Sequence, residues 1–307
     1  MRQTETAYLF PGQGSQHVGM GRAFYEREPA ARAVFDQADA VLGFPLSQLC
    51  FEGPEAELTD TVNQQPALFV TAFAMWRVLQ ERDWPAPAFM AGHSLGELTA
   101  LAAAGSLDFA DGLMLVRRRG ELMKVAGESA PGAMAAILAL DLEAVENACA
   151  QAREESGQPV QVANTNCPGQ IVISGDQEAL ARAVTLAEAA GARKVVTLPI
   201  TIAAHSPLMA SAAGAFADAV RAAEIGPPEV PVIANTTAKP MTSPAEVEAE
   251  LVAQLTGSVR WMESIHYMID QGVETFVEVG PGDVLTGLMK RIDRKATRRR
   301  FESEVEL

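Results

Sequence analysis

The chain is poor in cysteine, histidine, aromatic residues and positive charge. Its 307 residues hold three cysteines and four histidines, and aromatics make up 6%. Cys50, Cys149 and Cys167 are widely separated and odd in number, so they form neither a disulfide framework nor metal-ligand spacing; ordinary reduced thiols are expected. The 24 Lys and Arg are outnumbered by 39 Asp and Glu, a net charge of −15. That balance argues against nucleic acid as a partner. No apolar run approaches the roughly 20 residues of a membrane span, which argues against a membrane protein. Met1–Thr6 leads straight into Ala7-Tyr8-Leu9-Phe10 without a long apolar signal region, so a cytoplasmic protein is expected.

Hydrophobic residues make up 48% of the chain, enough for a large core in one domain or in a main domain with an insertion. Short apolar runs alternate with Ala-rich helical patterns, which predicts an α/β fold. Strands are expected at Ala7–Phe10, Val232–Asn235 and Thr275–Val279, and helices at Leu68–Glu81 and Gly112–Val125, the second capped by Asp111. The middle reads differently. Strand Met134–Leu140, helix Asp141–Glu155, strands Pro159–Ala163 and Gln170–Ser174, helix Asp176–Ala190 and strand Lys194–Leu198 make the order βαββαβ, a ferredoxin-like unit. The expected layout is a parallel-sheet catalytic domain from 1–127 and 203–307, with an inserted small subdomain at 128–202. A cleft between the two is the expected substrate site.

The chemistry concentrates at Gly92-His93-Ser94-Leu95-Gly96, between the apolar run ending at Ala91 and the helical pattern from Glu97. Strand, Gly-x-Ser-x-Gly and helix in that order predict a nucleophile elbow, a sharp turn that exposes the serine hydroxyl. At a helix N-terminus, free N–H groups can stabilise a developing oxyanion. Acyl transfer through a Ser94 ester is therefore expected. The serine needs a base. His93 is adjacent, but neighbours on a sharp turn point apart; His17 follows a Gly-rich turn, and His266 fits an ordinary helix pattern. His205 follows a strand and precedes a helix among small residues, which makes it the candidate base. No Asp or Glu near it in sequence stands out as its orienting partner, and a backbone carbonyl is the alternative. Gln13, between two glycines at a strand end, is placed to hold an oxyanion donor or to serve the turn. Arg117-Arg118-Arg119 lie toward the end of a helix, where successive residues are about 100° apart, so at least one must leave the solvated face. A guanidinium in the cleft would pair with a substrate carboxylate and select a malonyl-type unit.

These motifs, in this order, resemble the malonyl-CoA:acyl-carrier-protein transacylases of fatty-acid synthesis and the free-standing acyltransferases of polyketide assembly lines. The likeness runs from Phe10-Pro11-Gly12-Gln13-Gly14-Ser15-Gln16 to Glu278-Val279-Gly280-Pro281-Gly282, through Gly92–Glu97, Arg119-Gly120, Gly169–Gly175, His205–Met209, Asn235–Pro240 and Gln254…Trp261. It implies an α/β-hydrolase-like domain with a ferredoxin-like subdomain. It implies Ser94 as acylated nucleophile, His205 as base oriented by the Gln254 main chain, and the Gln13 and Leu95 amides as oxyanion hole. Arg119 would hold the malonyl carboxylate. Malonyl-CoA and an acidic, phosphopantetheine-bearing acyl carrier protein are the implied partners, with no metal or other cofactor. A thioester hydrolase of the same fold is the alternative. The sequence departs from the family pattern at Ala203-Ala204, where a bulkier residue is common, so these two would line a roomier acyl pocket; Ser258 stands where proline is usual. Basic residues expected to dock the carrier are Arg193 and Lys194 in the small subdomain and Lys290, Arg298, Arg299 and Arg300 in a C-terminal cluster.

Overall fold

The computed structural model describes residues 5–198, 200 and 202–304. The elements form two sheets. The larger has six strands: β1 (Thr6–Phe10), β2 (Phe89–Gly92), β7 (Val232–Ile233), β8 (Pro240–Met241), β9 (Thr275–Glu278) and β10 (Thr297–Arg300), in the order β10-β9-β1-β2-β7-β8. All neighbours are parallel except β7 and β8. The central strand β1 is buried at every position, as a strand covered on both faces must be, and so it reads as a continuous apolar run. Phe10 pairs with Gly92, and Leu9 with Glu278. The carboxyl ends of β1, β2 and β9 are therefore level, and their following loops leave the sheet together, where parallel α/β sheets bind ligands.

The smaller sheet holds β3 (Gly132–Leu138), β4 (Val160–Cys167), β5 (Gln170–Asp176) and β6 (Lys194–Thr197) in the antiparallel order β4-β5-β3-β6. With helices Leu142–Ser156 and Gln177–Ala189 this is the βαββαβ unit expected from the sequence. It has its own core, including Ile137, Val145, Val160, Ile173 and Leu180.

Several boundaries differ from expectation. The helix expected from Leu68 begins at Thr61, with Asp60 accepting from the Val62 N–H as its cap. Pro66 lies inside it and has no N–H to give the Val62 carbonyl; Arg117 Nη1 donates to that oxygen at 3.3 Å instead. The helix expected over Gly112–Val125 runs Phe109–Ser129, capped by Asp108 rather than Asp111. The arginine triplet thus sits in mid-helix. Strand β4 runs on to Cys167, past the expected end at Ala163, and buries the polar residues Asn164, Thr165 and Asn166 that masked it.

The C-terminal basic cluster is built into the fold. Residues Arg298–Arg300 belong to β10 at the sheet edge. Arg298 Nη1 donates to the Asp293 and Ala296 carbonyls, Arg299 stacks 4.0 Å over the Trp84 ring, and Arg300 pairs with Asp283 at 3.2 Å. These contacts tie the three arginines into the fold, where the sequence suggested a basic cluster for docking the carrier. Lys290, Arg193 and Lys194 are exposed.

Candidate active site

Ser94 follows β2 and caps the helix Leu95–Ala103 with φ 52° and ψ −107°. A side chain in that region is strained by about 1–3 kcal/mol and persists only where its surroundings dictate it. They do so here. A methyl at Gly92 would fall 1.9 Å from the Gly96 carbonyl carbon, and one at Gly96 2.1 Å from the Phe10 carbonyl oxygen, so only glycine permits the turn. Asn235, just beyond β7, clamps it from outside. Its Oδ1 accepts from the Ser94 N–H at 2.7 Å, its Nδ2 donates to the Gly92 carbonyl at 2.8 Å, and its own N–H donates to Glu97 Oε1 at 2.7 Å.

Ser94 Oγ lies 2.8 Å from His205 Nε2. The other ring nitrogen, Nδ1, lies 2.9 Å from the Gln254 carbonyl and 3.0 Å from that of Gly257. Carbonyls only accept, so Nδ1 carries the proton and Nε2 presents its lone pair to the serine. Burial, then the nearby Arg119 charge, pushes the His205 pKa down to about 3, which keeps the ring neutral at ordinary pH. Among the described residues no carboxylate meets His205; two main-chain oxygens fill that place.

Arg119 is 2% exposed. Its Nη1 donates to Gln65 Oε1 at 2.9 Å, and its Nη2 donates to Gln254 Oε1 at 2.9 Å and to Ser94 Oγ at 3.2 Å; Nε has no hydrogen-bond partner. The guanidinium reaches this place because Gly120 lets its helix press on the Thr61–Gln80 helix; a methyl there would lie 2.7 Å from the Thr61 carbonyl oxygen. Burial lowers the Arg119 pKa to about 10, still charged near neutrality. Arg117 and Arg118 instead meet Glu121 at 3.0 and 3.5 Å. Of the triplet, only Arg119 enters the site.

Beneath these groups lies Glu97, fully buried; it accepts from Gln254 Nε2 as well as from Asn235. Burial, followed by the Glu250 charge, raises its pKa well above the usual carboxylate range. Gln254 Nε2 also donates to the Ser94 carbonyl at 2.9 Å. One glutamine thus touches Ser94, His205, the Arg119 guanidinium and the buried carboxylate.

The other expected residues are distributed as follows. Leu95 opens its helix, so its N–H has no intrahelical acceptor. Gln13 is exposed in the turn after β1, whose last carbonyl accepts from the His93 N–H at 3.1 Å. His93 Nε2 is 2.8 Å from Asn166 Oδ1, and its ring packs 5.4 Å from Trp261. His17 and His266 are exposed. Ala203 is wholly buried, and a methyl on Gly132 would come within 2.5 Å of its Cβ, so it does not line an open pocket as expected. Ala204 is half-buried at the junction of the main core and the small sheet. Sequence reading gave no role to Gln65, Glu97, Asn166, Gln161 or Asn235. The usable signal was polar residues inside apolar patterns, such as Gln64-Gln65 ahead of Ala67–Ala74.

The acyl transferase domain family matches residues 7–300. The malonyl CoA-acyl carrier protein transacylase of Bacillus subtilis (strain 168) is 47% identical over 292 residues, covering 95% of this chain and 92% of the relative. An acyl carrier protein S-malonyltransferase structure from Vibrio cholerae superimposes with a TM-score of 0.94 at 41% identity, covering 97% and 96% of the two chains. A malonyl-transacylase solved with its holo type II polyketide-synthase acyl-carrier protein gives 0.92 at 42% identity, covering 97% and 95%. With an elbow serine, a carbonyl-held histidine and a buried arginine at one point, and likeness along nearly its whole length, the chain belongs to the malonyl-CoA:acyl-carrier-protein transacylase family.

Proposed function

We propose that the chain moves a malonyl unit from malonyl-CoA to the phosphopantetheine thiol of an acyl carrier protein, in two steps through a Ser94 ester. His205 Nε2 takes the hydroxyl proton as Ser94 Oγ attacks the thioester carbonyl. The Gln13 and Leu95 amides hold the oxyanion. The C–S bond breaks, and His205 returns the proton to the departing CoA sulfur. The carrier thiol then gives its proton to His205 and attacks the ester, and Ser94 leaves with that proton. The Gln254 and Gly257 carbonyls stabilise the imidazolium in both steps. No metal or redox cofactor takes part in this scheme.

The observation that carries the reading is the meeting of Ser94 Oγ with both His205 Nε2, at 2.8 Å, and Arg119 Nη2, at 3.2 Å. A buried guanidinium beside the nucleophile suits an acyl group ending in a carboxylate, and this disfavours a general thioester hydrolase. Residues 128–202 act as an inserted subdomain beside the site, and the exposed Arg193, Lys194 and Lys290 are cations able to meet an acidic carrier. Buried, free Cys50, Cys149 and Cys167 suit work in the reducing cytoplasm.

The test is intact-protein mass spectrometry after mixing with malonyl-, methylmalonyl- and acetyl-CoA in competition. The native chain should carry the malonyl adduct. Arg119→Ala should shift the adduct ratio toward acetyl by roughly 10- to 100-fold, from loss of a charge-assisted pair worth about 1.5–3 kcal/mol. An unchanged ratio would assign the carboxylate to another cation.

A further inference from the structure

One side chain of the small sheet reaches the base. Gln161, on β4, donates from Nε2 to the His205 carbonyl at 2.8 Å and to the Thr256 carbonyl at 2.9 Å. A primary amide has two N–H donors, so both are used. The two acceptors come from different segments. His205 has a left-handed φ of 58°, a conformation a histidine keeps only where its neighbours impose it. Thr256 lies between Gln254 and Gly257, whose carbonyls hold His205 Nδ1. The same amide therefore ties the backbone of the base to the loop that orients its ring.

The tie is part of a longer seam. The Val259 N–H donates to the Ala163 carbonyl at 2.8 Å, and the Thr165 N–H to the Val259 carbonyl at 3.0 Å. The Ser258 hydroxyl donates to the Val162 carbonyl. The loop at 256–259 is thus laid along β4, with Gln161 the member of the seam that also grips the base. The His205 N–H donates to the Leu255 carbonyl at 3.1 Å and closes the arrangement from the other side.

We propose that Gln161 is a positioning residue for the base: through its amide, the small sheet sets the distance and angle between His205 Nε2 and Ser94 Oγ. This rests on the reading of His205 as the base. Gln161 touches no reacting atom, so its loss acts on both half-reactions alike and leaves the choice of acyl group to Arg119.

The experiment uses Gln161→Met, close in shape but without donors, and Gln161→Glu, which faces two carbonyls with acceptors only. His205→Ala is the control for the reading beneath. Rapid-quench acylation by malonyl-CoA and transfer to a carrier protein should each slow about 10- to 100-fold in Gln161→Met, the scale of a small misplacement of a reacting group, and more in Gln161→Glu. Apparent malonyl-CoA affinity and the malonyl-to-acetyl ratio should stay within about twofold. The downfield proton signal of the His205 Nδ1–H should shift or broaden while thermal melts still report a folded chain. Acylation within about twofold of the parent in Gln161→Met would overturn the proposal, as would a rate loss with an unchanged Nδ1–H signal. If His205→Ala itself kept its rate, the base assignment would fall instead.

Discussion

Two positions in the site have left-handed backbone angles on residues other than glycine, and only one of them has a local sequence device behind it. Ser94, with φ 52°, combines a device close in sequence with distant braces: Gly92 and Gly96 let the backbones close on each other and on Phe10, while Asn235 holds its N–H and Gln254 its carbonyl. His205, with φ 58°, is held by groups 44 to 52 residues away: the Gln161 amide and the carbonyls of Leu255, Gln254 and Gly257. A local turn motif contributes to the geometry of Ser94, whereas that of His205 rests on long-range contacts alone. The nucleophile can therefore be read as a motif, whereas the base's geometry depends on the small sheet standing where it does.

The sharpest way to break this pair is to remove each member. Ser94→Ala should abolish the acyl adduct in intact-protein mass spectra, because no other hydroxyl stands at the elbow. His205→Ala should slow acylation by about 10²–10⁴-fold, the usual span for a positioned base, and leave a folded protein. A normal malonyl adduct on Ser94→Ala, or a far larger loss from His93→Ala than from His205→Ala, would overturn these assignments.

A pH series separates the function of His205 from its cost. In the folded protein its pKa is held down to about 3, whereas an unfolded histidine titrates near 6.5. Between those values the unfolded chain binds the proton and the folded one does not, so stability from this group is full above about 6.5 and declines as pH falls towards 3. Buried His93, whose pKa is also lowered, acts in the same direction. The rate of acylation per folded molecule should nevertheless hold from neutral pH down to about 5. Thermal melts and rapid-quench rates over that range would check it; a rate that falls with an apparent pKa near 6.5 would mean that His205 is solvated and ordinary.

The smallest effect concerns the basic residues, where a similar contrast applies. Arg298, Arg299 and Arg300 are bound into β10 and its neighbours, while Arg193 and Lys194 are exposed on the small sheet. Charge reversal of the first group should lower the melting temperature with little effect specific to the carrier. Reversal of Arg193 and Lys194 should slow transfer to the carrier severalfold at low salt, less at high salt, and leave acylation from malonyl-CoA unchanged. If Arg193 and Lys194 reversal left carrier transfer untouched at low salt, docking would lie elsewhere.

Legibility followed sequence separation. The elbow, the βαββαβ order and the alternation of strands and helices were readable because each element in them shows its period within a window of roughly 11–18 residues. The start of the Thr61–Gln80 helix was missed because Gln64, Gln65 and Pro66 look like a break; Gln65 and Pro66 are tolerated there because Arg119 and Arg117, more than 50 residues on, satisfy the Gln65 side chain and the Val62 carbonyl. The end of β4 was missed because Asn164-Thr165-Asn166 are polar; the strand continues because the loop at Val259 pairs with it and His93 meets Asn166. Ala203 looked like pocket space because small residues leave room, but the room is filled by the close approach of Gly132.

Readable from residue order alone were the strained serine turn, the two-sheet plan and the need for at least one arginine of the triplet to leave a solvated face. These depend on backbone geometry and helical period, which neighbours in the chain dictate. Residue patterns left open which arginine enters and which group replaces an acid beside His205; the family likeness named Arg119 and the Gln254 main chain, and the fold sets their geometry and the ring tautomer. Those are settled by hydrogen bonds across 25 to 160 residues, from Ser94 to Arg119 and to Gln254, and burial makes such bonds obligatory because an unpaired polar group cannot turn to water.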